Sequence, residues 1–313
     1  MLGKTAGGLY WMFRQLERCE NTARLLEAGF RISLTRPEGS DDDWASVIDT
    51  VGCRAAYQEH HDRFEQAAVV NFLLRDANNP SNVMSVIDSA RNTARLVRTA
   101  LSREVWESTN ECSMQLKAAL ANPVPDRDLP EVLGLIRQLS GQVRGALHGT
   151  MLRNDIFNFA RIGTFLERAD NTARILDVKY YVLLPSISQI GSSLDNVQWE
   201  NILRSVGGQR SFRWINGTDV TAQGIANFLI LDERMPRSLA FCLNKLNSNL
   251  SYLEREYSLR HPCHDMVQAM LGRLAAHNID QIFEYGLHEF ILAFLTESAA
   301  VGNEIERNYR FQE

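Results

Sequence analysis

The chain contains one segment twice, and this internal repeat is the feature that most restricts its fold. Residues 16–26 read LERCENTARLL and residues 166–176 read LERADNTARIL, so the two copies lie 150 residues apart. Two such similar segments in one chain indicate two structural units of related sequence rather than an array of short repeats, whose periods are about 20–50 residues.

Two further markers follow the repeated segment in the same order. Trp44 and Trp199 lie 155 residues apart, and the Asn-Phe-Leu sequences that begin at Asn71 and Asn227 lie 156 residues apart. Each Asn-Phe-Leu sequence has a proline nine residues after its asparagine. Markers in constant order at nearly constant spacing predict an internal duplication.

Apolar residues recur at helical spacing along most of the chain. Residues 9–30 carry one apolar stripe at steps of three or four residues: Leu9, Met12, Leu16, Cys19, Ala23, Leu26 and Phe30. Similar stripes run through 44–76, 80–120, 129–148, 155–184, 196–207, 219–232, 236–258, 264–276 and 279–309. We find no alternating strand pattern. The sequence therefore predicts an all-α, multi-helix bundle formed by two homologous helical halves, residues 1–150 and 151–313, within one continuous domain.

The polar residues of each repeated helix share one face. At 100° per residue, five of them project to the side opposite the apolar stripe: Arg14, Glu17, Arg18, Asn21 and Arg24. The second copy repeats this set with Glu167, Arg168, Asn171 and Arg174. We therefore expect each helix to be buried along one edge and to offer a polar cluster on the other. Spaced i,i+4, Glu20 and Arg24 are typical of a solvated ion pair.

Near-identity of the two copies suggests that these side chains have fixed partners, because a solvated face tolerates most polar substitutions. A buried polar network with a structural role is the favoured interpretation, a ligand or substrate site is the second, and plain surface is the third. Asn and Thr are mediocre formers of helix interiors, which also argues for specific partners.

A sharper hypothesis uses the duplication. If the halves pack about a pseudo-two-fold axis, the two helices face each other across it. The guanidinium groups of Arg18, Arg168, Arg24 and Arg174 would then bind carboxylate or phosphate. Glu17 and Glu167 would hold those arginines or recognise an amine, so that the whole cluster could bind a zwitterionic peptide or amino acid.

These motifs resemble the alpha-E family, a bacterial group named for its helical content and its Glu-Arg motif. The resemblance rests on AGGLYWM at residues 6–12, on Glu17-Arg18 with the Asn-Thr-Ala-Arg of residues 21–24, and on segments at 74–81, 103–107 and 286–290. It covers nearly the whole chain and implies an all-helical fold.

The resemblance also implies partners. Members of the family typically occur beside, or fused to, a circularly permuted ATP-grasp protein and a transglutaminase-like cysteine peptidase. This company implies an ATP-dependent system that makes or modifies a peptide. The chain has no P-loop, GxGxxG or His-Glu-x-x-His sequence. We therefore predict no cofactor for this chain and expect a partner to bind ATP.

Histidines supply weaker candidates. His288 and Glu289 belong to the family-like C-terminal motif, and a histidine beside an acid can transfer protons. Their aromatic surroundings favour a hydrogen-bonded core histidine instead. The sequence His-Pro-Cys-His at 261–264 is too tightly spaced for a usual tetrahedral site, so we predict no metal site and interpret it as the start of a helix.

Charge and cysteine usage restrict partners and compartment. The formal net charge of −5 and the absence of a basic stripe argue against nucleic-acid binding. Five scattered cysteines without a CxxC pair are typical of a reducing compartment. We find no signal peptide and no run near the roughly 18 apolar residues of a spanning helix. The expectation is a cytoplasmic protein that does not bind membranes.

Two functional hypotheses follow. In the first, the chain is a non-catalytic subunit or scaffold of the ATP-grasp-linked system. In the second, it is an enzyme of that system that acts on a peptide or amide intermediate at a site formed by the duplicated Glu-Arg helices. A pocket that holds both motifs would favour the second hypothesis, whereas a broad apolar patch with the motifs buried as struts would favour the first.

Overall fold

The described part of the chain is entirely helical apart from its turns and loops. The computed structural model describes residues 1–34, 40–182, 193–217 and 220–312, and no strand occurs among them. The helices are α1 (Gly3–Ser33), α2 (Ser40–Val51), α3 (Arg54–Gln58), α4 (Gln66–Leu74), α5 (Val83–Leu96), α6 (Arg103–Ala119), α7 (Leu129–Thr150), α8 (Asp155–Val182), α9 (Ser193–Ser205), α10 (Gln209–Asn216), α11 (Ala222–Ile230), α12 (Leu239–Tyr257), α13 (Pro262–Ala276), α14 (Ile279–Tyr285) and α15 (Leu287–Asn308). The all-α prediction is confirmed.

The two helices that carry the repeated segment lie at the centre of the bundle. α1 packs along α8, with α5 and α7 against α1, and with α12 and α15 against α8. The buried apolar residues of all these helices form one cluster. At Gly163 the two central backbones approach so closely that a Cβ atom would lie 2.2 Å from the carbonyl oxygen of Tyr10. Only glycine permits this contact.

The other helices fall into two series in the same order. From α2 to α6, the helices correspond one by one to α9 to α13 at offsets between 153 and 159 residues, counted from their first residues, and α7 corresponds to α15. Among the described elements, α14 has no counterpart. The boundary expected at residue 150 falls between α7 and α8. Descent of the two series from a duplicated segment stays a prediction.

Several stripes expected to be continuous are divided in the structure. The stripe at 279–309 is broken at Gly286, where φ is +113°, into α14 and α15. The stripe at 44–76 is divided among α2, α3 and α4, and that at 80–120 between α5 and α6. The periodicity survives these turns because consecutive helices bury their apolar faces in the same core, so the stripes did not reveal the breaks.

Within the described ranges, no helix is both long enough and apolar enough to cross a membrane.

Candidate functional site

The two Glu-Arg motifs meet between α1 and α8 and exchange ion pairs. Arg18 of α1 binds Glu167 of α8 through Nε to Oε1 at 2.6 Å and Nη2 to Oε2 at 3.1 Å. Arg168 binds Glu17 in the same way, at 2.8 Å and 2.9 Å. Each arginine therefore holds the glutamate of the other motif with two parallel hydrogen bonds, the strongest geometry for this pair.

Both glutamates are buried. Glu17 is 1% exposed and Glu167 is 5% exposed. The polar edge of each motif helix is covered by the other motif helix, which is consistent with the favoured interpretation of a buried polar network and not with a plain surface. The interpretation of Glu20 and Arg24 as a solvated pair is wrong, because Glu20 is 0% exposed.

Three more arginines complete the network. Arg14 donates to Glu167 at 2.8 Å. Arg144 of α7 contacts Glu17 and Glu20, and Arg237, which precedes α12, lies 3.1 Å from Glu17 and also contacts Glu20. Sequence reasoning included Arg14 but missed Arg144 and Arg237, because neither belongs to the repeated segment. The only available signal was that Arg237 follows the marker proline at 236.

These guanidinium groups keep the buried carboxylates ionised. Burial by itself raises the pKa of Glu17, but Arg168, Arg237 and Arg144 outweigh it, so this pKa lies well below its usual range. The pKa of Glu167 is likewise lowered, because Arg18 and Arg14 outweigh the effect of burial. Carboxylates with such lowered pKa values are poor proton acceptors at neutral pH.

The last arginine of each motif, Arg24 or Arg174, makes corresponding hydrogen bonds. Arg24 binds Glu20 and donates to the carbonyl oxygen of Ser205 at 2.8 Å. The corresponding Arg174 binds Asp170 and donates to the carbonyl oxygen of Thr50 at 3.1 Å. Each of these carbonyls lies two residues before a glycine with positive φ: Gly52 at +75° and Gly207 at +69°. These glycines allow the chain to turn directly after α2 and α9.

The two asparagines of the motifs differ in their partners. Asn21 accepts a hydrogen bond from Arg237 at 3.2 Å and donates to the carbonyl of Glu167 at 3.4 Å. The Nδ2 atom of Asn171 is buried and has no hydrogen-bond partner within the described part of the chain. The matched network is therefore incomplete on the side of Asn171.

A cavity of about 210 Å³ lies at this incomplete side. Its polar wall consists of residues from both motifs: Arg18, Asn21, Glu167, Asp170, Asn171 and Arg174. Thr50 and Ser81 also line it. The side chains of Arg18 and Arg174 are 34% and 36% exposed.

The structure thus brings the nine motif residues named in the sequence analysis into one region. Some of them line the cavity, and the others are engaged in buried ion pairs. The hypothesis that the motifs face each other is consistent with this geometry. Of the four arginines proposed to bind an anion, Arg18 and Arg174 line the cavity, whereas Arg168 is 9% exposed and paired with Glu17. Arg24 is bound to Glu20.

The weaker candidates lie elsewhere. His288 Nδ1 is 2.6 Å from Asp177 Oδ1, and burial raises the pKa of Asp177. Glu289 lies in the first turn of α15, and neither residue lines the cavity. The His-Pro-Cys-His sequence begins α13, where His264 Nδ1 accepts from the backbone N–H of His261. Within the ranges described, no group of three or more His, Cys, Asp or Glu side chains is arranged to hold a metal ion.

Comparison with known proteins gives one result. The model of the Alpha-E family, described as a predicted alpha-helical domain with a conserved ER motif, matches residues 1–309. No curated protein and no solved structure matches the chain. Five Glu-Arg dipeptides occur in the sequence. The pairs at 17–18 and 167–168 are the ones whose glutamates are buried at the α1–α8 contact.

Proposed function

The chain belongs to the Alpha-E family, and we propose that it is a non-catalytic subunit or scaffold of an ATP-grasp-linked system that makes or modifies a peptide. A circularly permuted ATP-grasp protein and a transglutaminase-like peptidase are its partners in this proposal. The partner supplies ATP binding, and the helical chain supplies a docking body or presents the peptide.

The observation that carries this proposal is the reciprocal pairing of the two Glu-Arg motifs. All four carboxylate oxygens of Glu17 and Glu167 accept hydrogen bonds from guanidinium groups. A general base must instead have a free oxygen within reach of the substrate. Buried, ionised carboxylates whose oxygens all accept hydrogen bonds are suited to holding two helices together. The motif is therefore best explained as a structural contact between α1 and α8.

The experiment that tests this proposal measures complex formation and ATP turnover together. The purified chain is mixed with the ATP-grasp protein encoded beside it, and the complex is sought by size-exclusion chromatography. We expect a complex, a change in the ATP turnover of the partner, and no ATP or peptide turnover by the helical chain alone. Absence of a complex, or peptide chemistry by the chain alone, would refute the scaffold proposal.

A second candidate is an enzyme of the same system that acts on a peptide or amide intermediate. The cavity beside Arg18, Asp170 and Arg174 favours this alternative, because it is bounded by both motifs. Ser81→Arg separates the two candidates, since it fills the cavity without removing a motif residue. If the chain is a scaffold, the variant forms the complex and changes ATP turnover as the wild type does. If it is an enzyme, the variant forms the complex but loses the peptide turnover that the wild-type chain shows without the ATP-grasp protein.

A further inference from the structure

Two loops, one in each series of helices, have the same hydrogen bonds at equal spacing. After α4, Asp76 Oδ1 accepts from the N–H of Asn78, and after α11, Asp232 Oδ1 accepts from that of Arg234. Each loop ends at a helix N-cap residue whose side chain also donates to the carbonyl of that aspartate: Asn82 at 2.8 Å and Ser238 at 2.6 Å. These positions are 156 residues apart, so the two loop backbones follow the same course.

The residue before each cap is where the loops differ. This residue is Ser81 in the first loop and Arg237 in the second. Arg237 is 6% exposed, and its guanidinium group contacts Glu17, Glu20 and Asn21. Ser81 is too short to reach as far, and it lines the cavity instead.

The walls of the cavity correspond to the surroundings of Arg237. The repeat relates Glu17, Glu20 and Asn21 to Glu167, Asp170 and Asn171, which line the cavity. Arg168 and Arg24 lie near enough to Arg237 for their positive charges to lower its pKa, and they correspond to Arg18 and Arg174 of the cavity wall. The side chain of Arg237 thus fills the site beside Glu17 and Glu20, which we call the filled copy. The matching site beside Ser81 and Asp170 is a cavity, which we call the open copy.

We infer that this cavity binds a guanidinium group from outside the chain, in the place that Arg237 occupies in the other copy. The ligand is an arginine side chain, either of a peptide or of a free small molecule. Asp170 and Asn171 Oδ1 are the acceptors that correspond to Glu20 and Asn21. A volume of about 210 Å³ suits one amino-acid side chain and lies below the roughly 300–1,000 Å³ of pockets for larger ligands.

The charge balance is compatible with this ligand. In the filled copy, Glu17 and Glu20 are surrounded by Arg168, Arg144, Arg24 and Arg237, so a fourth guanidinium is accommodated beside two carboxylates. In the open copy, two carboxylates are paired with only three guanidinium groups, those of Arg14, Arg18 and Arg174. A bound arginine side chain would restore the composition of the filled copy.

The test compares ligands that differ in one group. Agmatine, acetyl-arginine amide and an arginine-containing peptide are titrated calorimetrically into the full chain. Acetyl-citrulline amide serves as the uncharged analogue of the same shape, and acetate and phosphate serve as anions. We expect the guanidinium compounds to bind at least about tenfold more tightly than the citrulline analogue. Tighter binding of the peptide than of agmatine would identify a peptide as the source.

Two reciprocal variants tie the binding to this cavity. Ser81→Arg supplies the missing side chain from within and should abolish agmatine binding, whereas Ser248→Arg, at an exposed position of α12, should leave it unchanged. Arg237→Ser opens the second copy. The melting temperature of Arg237→Ser should be lower than that of the wild type. Addition of agmatine should raise the melting temperature of the variant by more than it raises that of the wild type.

The outcomes separate this inference from the proposed function, because binding is measured without the ATP-grasp partner. Equal binding of the citrulline analogue, binding of acetate or phosphate only, or unchanged agmatine binding by a folded Ser81→Arg protein would overturn the inference. If Ser81→Arg does not fold, the ligand series on the wild type and the agmatine response of Arg237→Ser still decide it.

Discussion

At the scale of single residues, the central question is how the buried carboxylates of Glu17 and Glu167 are kept inside a helical core. A buried carboxylate without a partner costs several kcal/mol, and the pair becomes tolerable when geometry and hydrogen bonding are good. Glu17 meets this condition through Arg168, and Glu167 through Arg18. The sequence identified these four residues because two near-identical copies imply fixed partners. It could not identify the pairing, which joins positions about 150 residues apart.

We predict that Glu17→Gln lowers the free energy of unfolding by about 3–5 kcal/mol at pH 7, because it leaves buried guanidinium groups short of a carboxylate. The pKa of Glu17 is lowered in the folded chain, so its contribution is complete above its unfolded pKa of about 4.3. That contribution is lost as pH falls toward the folded value, and the difference between wild type and variant should narrow below about pH 4. Urea denaturation at several pH values measures both effects.

The matched control is Glu233→Gln, in a Glu-Arg dipeptide that is exposed after α11. Its effect should stay within about 0.5 kcal/mol, as for most surface substitutions. Equal losses for the two variants would show that burial of the motif contributes nothing specific to stability.

At the scale of the elements, the contact between α1 and α8 determines whether the charged groups can reach each other. The apolar periodicity of both helices was visible in the sequence, and so was the repeated segment that each of them carries. What the periodicity could not show was the partner of the polar edge, since the same face pattern fits a helix that borders solvent. The closeness of the two backbones depends on Gly163, for which the helical pattern gives no indication.

Gly163→Ala tests this closeness. An alanine inside a helix is usually more favourable than glycine by about 0.5–1 kcal/mol. Here its Cβ would overlap the backbone oxygen of Tyr10, so the helices must move apart and lengthen the Glu-Arg pairs. We expect a loss of about 1–3 kcal/mol in the free energy of unfolding, measured by urea denaturation. Gly145→Ala in α7, where a Cβ would meet nothing within 4 Å, should stabilise the chain, and a similar gain at Gly163 would contradict the close contact.

At the scale of the whole molecule, the two series of helices share one core rather than forming two separate bodies. The matched helices α1 and α8 pack on each other, and the buried apolar cluster includes residues of both series. One difference between the two series coincides with a cavity: Ser81 stands in the first series where Arg237 stands in the second. The sequence revealed the repeat through what the copies share, whereas this difference gained meaning only when the loops around it were found to match.

A shared core predicts that the chain unfolds in one transition, and its cysteines can report it. Cys19 and Cys112 belong to the first series, and Cys242 and Cys263 to the second; all four are buried, and burial raises the pKa of Cys112, Cys242 and Cys263 to about 12. Thiolates are the reactive form, so these four thiols should resist alkylation until the core opens. Pulsed alkylation across a urea series, with each cysteine quantified by mass spectrometry, should give one midpoint for all four, while half-buried Cys53 reacts earlier. Separate midpoints for the two pairs would mean that the halves unfold independently, and that the Glu-Arg pairs join two domains instead of stabilising one.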